Sequence, residues 1–208
     1  MKRIFVTGIS TEVGKTMASA VLVEAMQADY WKPVQAGDLD HTDSDKVREL
    51  ISNSRSVIHP SAYALNTPMS PHAAAEIDGV QIELKHIVPP DTENHLIIEG
   101  AGGLLVPLND TDTILDLIKP TYKVVVVSRH YLGSINHTLL TLDKLIDKGI
   151  RPYLLYSGDP NPSTETILER RTRVPVLGRM EEQAVFTSST VKRLAAVLRP
   201  SLQGHGLL

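Results

Sequence analysis

A glycine-bearing loop between an apolar strand and a helix constrains this chain more than any other feature. Gly8-Ile9-Ser10-Thr11-Glu12-Val13-Gly14-Lys15-Thr16 follows the apolar run Ile4-Phe5-Val6 and leads into the helical stretch Thr16 to Gln27. A strand, a glycine loop and a helix opening on Gly-Lys-Thr is the layout of a phosphate-binding loop. Backbone N–H groups face inward there, and the helix turns its positive end to the same point. Lys15 is placed to reach terminal phosphates, and the Thr16 hydroxyl to hold Mg²⁺. Five residues, rather than the usual four, separate Gly8 from Gly14-Lys15.

The rest of the chain alternates strands and helices. Lys2 to Thr7 reads as a strand buried on both faces, residues 15 to 28 as a helix, and Tyr30 to Val34 as a second strand carrying Lys32, which completes a βαβ unit. An acidic run (Asp38, Asp40, Asp43, Asp45) enters a helix over Asp43 to Ser52. Residues 53 to 72 read as loop, interrupted at Ser61 to Leu65. Ser70-Pro71-His72 opens a helix through Ile77, and Gln81 to Val88 is expected to form another, stopped by Pro89-Pro90. Leu96-Ile97-Ile98 is a core strand, Thr113 to Ile118 is helical, and Val124 to Val127 is a β-branched strand. A long helix runs from Leu132 to about Lys148 and is closed by Gly149. Strands at Ile150 to Tyr156 and Val174 to Leu177 and helices at Ser163 to Arg170 and Ser188 to Val197 complete the chain, with Ser201 to Leu208 expected to be loosely held. The pattern predicts an α/β three-layer sandwich, a mainly parallel sheet flanked by helices, in one domain over residues 1–208.

Composition removes several classes of function. A net charge of −3 offers no electrostatic footprint for nucleic acid or an anionic membrane, and aromatics at 4% leave little to stack on single-stranded bases. The absence of cysteine excludes disulfides, thiolate metal sites and a cysteine nucleophile. No apolar run approaches the ~18 residues of a membrane span, and the N-terminus enters a strand without a signal-peptide layout. A cytoplasmic protein is expected.

In open parallel sheets, ligands bind beyond the carboxyl ends of the strands. Gly8 to Thr16, Lys32, Glu99 and the 128–136 loop all fall at such ends. Most lysines are simply solvated, but an ammonium at Lys32 would stabilise charge developing on a transferring phosphoryl group. Mg²⁺ takes one or two carboxylates together with phosphates and waters. Glu99, at the end of the Leu-Ile-Ile strand, suits that acidic role, and one acid of the 38–45 run would supply the other, without the residues themselves choosing which. Gly100, Gly102 and Gly103 permit close backbone approach to a ligand. The eight histidines show no zinc-like pairing.

Taken together, these residues resemble the dethiobiotin synthetase family. The stretched loop Gly8 to Thr16 with its five-residue gap, Lys32-Pro33-Val34, Ser70-Pro71-His72, Glu99 to Gly103 and Leu132-Gly133-Ser134-Ile135-Asn136-His137 match family segments in order, over about residues 2 to 160. The resemblance implies a P-loop NTPase-like fold and an ATP-dependent ligase that joins CO₂ or bicarbonate to 7,8-diaminopelargonic acid. The product is dethiobiotin, formed through a carbamate and a phosphorylated carbamate, with release of ADP and phosphate. By the same resemblance Lys32 and Lys15 are catalytic. Thr16, Asp45 and Glu99 hold Mg²⁺, with Asp45 carried over through the Ser44-Asp45 pair. Thr11, Glu12, Val13, Gly14, Lys15, Thr16, Asp45, Glu99, Gly100, Ala101, Gly102, Ser157 and Gly158 contact the nucleotide. Ala36, Gly37, Pro71, Gly133 and Asn136 contact the substrate, the last two across a homodimer interface.

The chain departs from the family pattern at three places. Ala36 stands where a serine hydroxyl is usual, leaving Gln35 or the Ala36-Gly37 backbone to serve. Ser157-Gly158-Asp159 replaces an adenine-reading asparagine, and Met180-Glu181-Glu182 replaces an apolar, proline-bearing base loop. The last two predict a relaxed nucleotide preference. A regulatory ATPase switch of the partitioning and cell-division type is the alternative, but that class carries an extra lysine early in the loop, and none lies between Gly8 and Gly14. A cobyrinic-acid amidase synthetase would need a cysteine-bearing glutaminase domain.

Overall fold

The computed structural model describes residues 1–208 throughout. Strand β1 (Arg3–Gly8) leads through the glycine loop into α1 (Lys15–Met26), then β2 (Asp29–Trp31), β3 (Val34–Ala36) and α2 (Asp43–Leu50). There follow β4 (Ile58–His59), β5 (Tyr63–Leu65), α3 (Pro71–Ile77), β6 (Leu96–Gly103) and β7 (Lys123–Arg129). The chain ends with α4 (Ser134–Asp147), β8 (Pro152–Ser157), α5 (Pro162–Thr172), β9 (Val176–Met180) and α6 (Ser188–Gly204).

Seven strands form one parallel sheet in the order β4-β2-β6-β1-β7-β8-β9, and β3 and β5 make a separate parallel pair. The unbroken apolar runs explain the centre of this sheet. Ile4, Phe5 and Val6 of β1, and Val124 to Val127 of β7, lie wholly buried, as strands covered on both faces must. Parallel crossovers are right-handed. The β1–β2 connection steps one way across the sheet and β7–β8–β9 steps the other, so α1 lies on one face and α4 and α5 on the opposite one. Helices α2 and α6 pack against α1. The result is the expected three-layer α/β sandwich. The direction of winding reverses beside β1, which places the 8–16 loop at the crevice where such sheets bind ligands.

Four expectations need correction. The predicted strand Tyr30 to Val34 is two strands: Pro33 has no N–H to continue a ladder, so β2 stops at Trp31 and β3 leaves to pair with β5. Glu99 to Gly103 continues β6 rather than starting a loop. The predicted helix over Gln81 to Val88 is only a short 3-10 turn at Leu84–His86. Val88 is pushed out of the α region by the following proline, and Glu83 at the start of the turn gives it no side-chain cap. The Ser201 to Leu208 tail is anchored: α6 runs on to Gly204, Leu202 and Leu207 are fully buried, and Lys2 Nζ donates to the Gly206 and Leu208 carbonyls. No helix is long and apolar enough to cross a membrane.

Candidate active site

Five elements deliver the site. The 8–16 loop bends through Glu12 and Gly14, both with positive φ (55° and 92°). At Gly14 a side chain is excluded on two counts: the backbone is left-handed, and a Cβ would come 2.7 Å from Ser157 Oγ. Helix α1 has no side-chain cap and no acidic residue in its first turn. Its first N–H groups and its positive end are therefore left for an anion. Lys15 Nζ is folded back onto the loop and donates to Ser10 O at 3.0 Å. Burial and the nearby Lys32 charge lower its pKa to about 8, with Glu99 and Asp43 working against them.

Below the loop lies a buried ionic cluster. Lys32 follows β2 and is 4% exposed. Its ammonium lies 2.9 Å from Glu99 Oε1 and 2.7 Å from Asp43 Oδ2. Thr16 Oγ1 also donates to Glu99 Oε1, at 2.9 Å. Burial pulls the Lys32 pKa down, but the Glu99 and Asp43 carboxylates overcome it and hold it above the ordinary lysine value. The opposite balance holds at Asp43, where burial is outweighed by Lys32 and the carboxyl pKa is lowered. Lys46 adds a weaker contact to Asp43 Oδ1 at 3.4 Å.

This cluster lines a cleft of about 720 Å³ together with Thr11, Glu12, Gly14, Ala36, Pro71, Ala101 and Gly102. The sequence-named residues Lys15, Thr16, Lys32 and Glu99 thus converge. Val13 instead packs into the core, 1% exposed, and Gly100 lies against Phe5 and Ile114. Both can contribute only backbone. Gly37, at φ +75°, sits so tightly on Pro68 that a Cβ would fall 2.5 Å from its backbone. The Gln35 amide donates to Gly37 O at 2.9 Å and holds the Ala36-Gly37 turn, and Gln35 lines the cleft beside Ala36.

Asp45 is a correction. Its carboxylate closes a capping box with Thr42, accepting from Thr42 N at 3.0 Å and Thr42 Oγ1 at 2.6 Å, and it also pairs with Arg48. It does not line the cleft. Asp43, the first residue of α2, faces Lys32 instead. With Thr42 as N-cap, residues 43 and 45 point about 200° apart on a helix of 3.6 residues per turn. The Thr42-x-x-Asp45 spacing was the signal that assigns Asp45 to the cap. Tyr30 was also missed: its hydroxyl donates to Glu99 Oε2 at 2.9 Å. It precedes Lys32 by two residues, which puts both on one face of an extended segment.

Ser157 and Gly158 lie in a second, smaller cleft of about 480 Å³ at the ends of β7 and β8, touching the loop where Ser157 meets Gly14. Arg129 and Glu182 face each other across it at 2.9 Å, and Arg179 donates to Gly158 O at 3.0 Å. Gly133 and Asn136 are exposed at the start of α4 and do not line the cleft of their own chain.

Chemically, the cleft offers the ammonium groups of Lys15, Lys32 and Lys46, a helix N-terminus, the hydroxyls of Thr11, Thr16 and Ser70, and the carboxylates of Glu12, Asp38, Asp43 and Glu99. That inventory suits binding and neutralising a polyphosphate in the presence of a hard cation. Glu99 Oε1 and Asp43 Oδ2 close on a positive charge, the Lys32 ammonium, with Thr16 Oγ1 2.9 Å from Glu99 Oε1; this oxygen cage has the hard donor set that Mg²⁺ takes.

Comparison with known proteins bears on the family. The AAA domain family matches residues 2–190. The chain is 54% identical to the ATP-dependent dethiobiotin synthetase of Christiangramia forsetii, covering 97% of this chain and 98% of that one. It is 50% identical to that of Cytophaga hutchinsonii, covering 95% and 97%. Among solved structures, a plasmid partition protein of Borrelia burgdorferi bound to AMPPNP superposes with a TM-score of 0.62 at 12% identity, covering 98% of each chain. The MinC:MinD cell division complex of Aquifex aeolicus gives 0.59 at 12% identity, covering 98% of this chain and 96% of that one. These structural likenesses show the fold alone, whereas the near-full-length identity to the synthetases is of another order: the chain belongs to the dethiobiotin synthetase family.

Proposed function

We propose that this chain uses ATP to carboxylate 7,8-diaminopelargonic acid with CO₂ and close the cyclic urea of dethiobiotin, releasing ADP and phosphate. Family membership makes it an ATP-dependent ligase. The observation that supports this reaction most is the Lys32–Glu99–Asp43 cluster set directly beneath the uncapped N-terminus of α1. No serine or cysteine nucleophile accompanies it, which suits a reaction in which the substrate's own amines attack.

In this reading the loop N–H groups and Lys15 hold the phosphates of ATP. One amine of the substrate, as its carbamate, lies beside Lys32, whose ammonium neutralises the carbamate and the phosphoryl group as they join. The second amine then attacks the mixed anhydride, and phosphate departs. Positioning and charge neutralisation supply the rate. Thr16, Glu99 and Asp43 would hold Mg²⁺, which supplies charge to the phosphates when bound. Ala36, Gly37 and Pro71 line the substrate side. Gly133 and Asn136 would receive the substrate carboxylate in a second copy of the chain. The exposed apolar side chains of Tyr131, Leu132 and Ile135 around them support a homodimer. The cytoplasm, where ATP is supplied, is the setting proposed for this reaction.

The test is direct. Purified protein supplied with 7,8-diaminopelargonic acid, bicarbonate, Mg²⁺ and ATP is expected to give dethiobiotin and ADP in equal amounts. ATP hydrolysis indifferent to the diamine would overturn the reading in favour of a switch ATPase.

The base side leads to a separate expectation. Arg129 offers only donors and Glu182 only acceptors, and their side chains are 42% and 47% exposed. Such an exposed pair can meet the edge of several bases, whereas sharp discrimination needs buried partners. Steady-state kinetics should give kcat/KM for ATP, GTP and CTP within about tenfold of one another. A hundredfold preference for ATP would contradict this.

A further inference from the structure

Glu99 is 1% exposed and its two oxygens are used differently. Oε1 faces the cleft and accepts from Lys32 Nζ and Thr16 Oγ1, each at 2.9 Å. Oε2 is turned away from them and accepts from Tyr30 Oη at 2.9 Å. Tyr30 is fully buried. The parallel register sets Tyr30 level with Ile97 and Trp31 level with Ile98. The next step along both strands brings Lys32 and Glu99 together, and Tyr30 reaches Glu99 from two residue pairs below, on the same face.

A carboxylate left with two free oxygens can rotate and can bind a cation through one oxygen or both. We propose that Tyr30 is a positioning residue for the synthetase reaction: its hydroxyl engages Glu99 Oε2 and leaves Oε1 as the single, fixed oxygen presented to Mg²⁺. This rests on the reading of Glu99 as a metal ligand. Mg²⁺ demands near-ideal octahedral geometry. Groups that orient a ligand from behind typically change metal affinity by about 10–100-fold when removed. A tyrosine that merely filled the core would be replaced by phenylalanine without consequence for the metal, because the ring, its volume and its burial are retained.

The experiment measures Mn²⁺ binding by electron paramagnetic resonance in the full-length protein with a non-hydrolysable ATP analogue. Wild type, Tyr30→Phe and Glu99→Gln are compared, and thermal melting is recorded for each. Tyr30→Phe is expected to bind Mn²⁺ about 10–100-fold more weakly and to give a changed Mn²⁺ spectrum, while melting near wild type without metal. Tyr30→Met also lacks the hydroxyl and packs adaptably, so it reads the same quantity if the phenylalanine form does not fold. Wild-type Mn²⁺ affinity in the folded Tyr30 variant, alongside loss of binding in Glu99→Gln, overturns the role of Tyr30 and leaves the metal reading standing. Unchanged binding in Glu99→Gln overturns the metal reading and the role of Tyr30 with it.

Discussion

Replacing Lys32 with methionine is expected to lower kcat by about 10²–10³-fold while nucleotide affinity stays within a few-fold of wild type. The split follows from where the ammonium stands. Lys32 does not belong to the glycine loop, and the groups that would grip the phosphates, Lys15 and the first turn of α1, do not depend on it for their backbone. What is lost is a fixed positive charge 2.9 Å and 2.7 Å from two carboxylates, at the bottom of the cleft where the carbamate and phosphoryl oxygens would meet. Methionine keeps the length and apolar body of the stem, so packing changes little.

The same substitution has a second expected consequence, which separates an electrostatic role from simple damage. Buried Glu99 would lose its ammonium partner, and Asp43 would keep only the weaker Lys46 contact at 3.4 Å. Removing one partner of a buried ion pair costs about 3–5 kcal/mol, which lowers the melting temperature of a domain this size by roughly 6–20 °C. Mg²⁺ with a nucleotide should restore much of this loss, because it supplies charge to the same oxygens. Calorimetric melting with and without Mg²⁺–nucleotide checks this. A Lys32→Met enzyme with full turnover would remove Lys32 from the chemistry. One that melts like wild type without metal would show that the cluster does not hold the apo fold together.

The parts of the site that were legible in the sequence are local. Gly8 to Thr16 announces itself because a strand, a bend needing positive φ and a helix start must follow one another within a few residues. Glu99 is legible because an acid ends an apolar run. Less visible was anything decided by which way a side chain points. Asp43 and Asp45 differ by two positions, and the choice between them depends on which residue caps the helix. Tyr30 reads as one more β-forming residue until Lys32, two places on, is seen to share its face. The tail misled for a similar reason. Pro200 suggests an end to the helix, yet it lies on the exposed side, while Leu194, Leu198 and Leu202 recur every four residues on the buried side and carry α6 past it. Gln81 to Val88 erred the other way, since polarity that suits a helix surface also suits an ordered loop ahead of two prolines.

The choice between the two aspartates yields the other large effect. Asp43→Asn is expected to lower kcat/KM by about a hundredfold, and Asp45→Asn by less than threefold. Asp43 Oδ2 touches the Lys32 ammonium, and although burial pushes the Asp43 carboxyl pKa up, the Lys32 charge outweighs it and leaves that pKa below the usual carboxylate range. The group is therefore an anion at working pH, and asparagine removes a full charge from the cage that also includes Glu99 and Thr16. Asp45 is an anion as well, its pKa lowered first by the Thr42 hydroxyl and then by the Thr42 N–H and Arg48, but that charge is spent on the first turn of α2 and points away from the cleft. Asparagine is itself a good capping residue, so Asp45→Asn should leave α2 and the placement of Asp43 nearly intact. Steady-state kinetics with Mg²⁺ varied at saturating ATP distinguishes the two. The Asp43 variant should need more Mg²⁺ for half-maximal rate, and the Asp45 variant should track wild type. A hundredfold loss in Asp45→Asn with wild-type behaviour in Asp43→Asn would mean that α2 turns its other face to the metal when ATP binds, and would return the ligand role to Asp45.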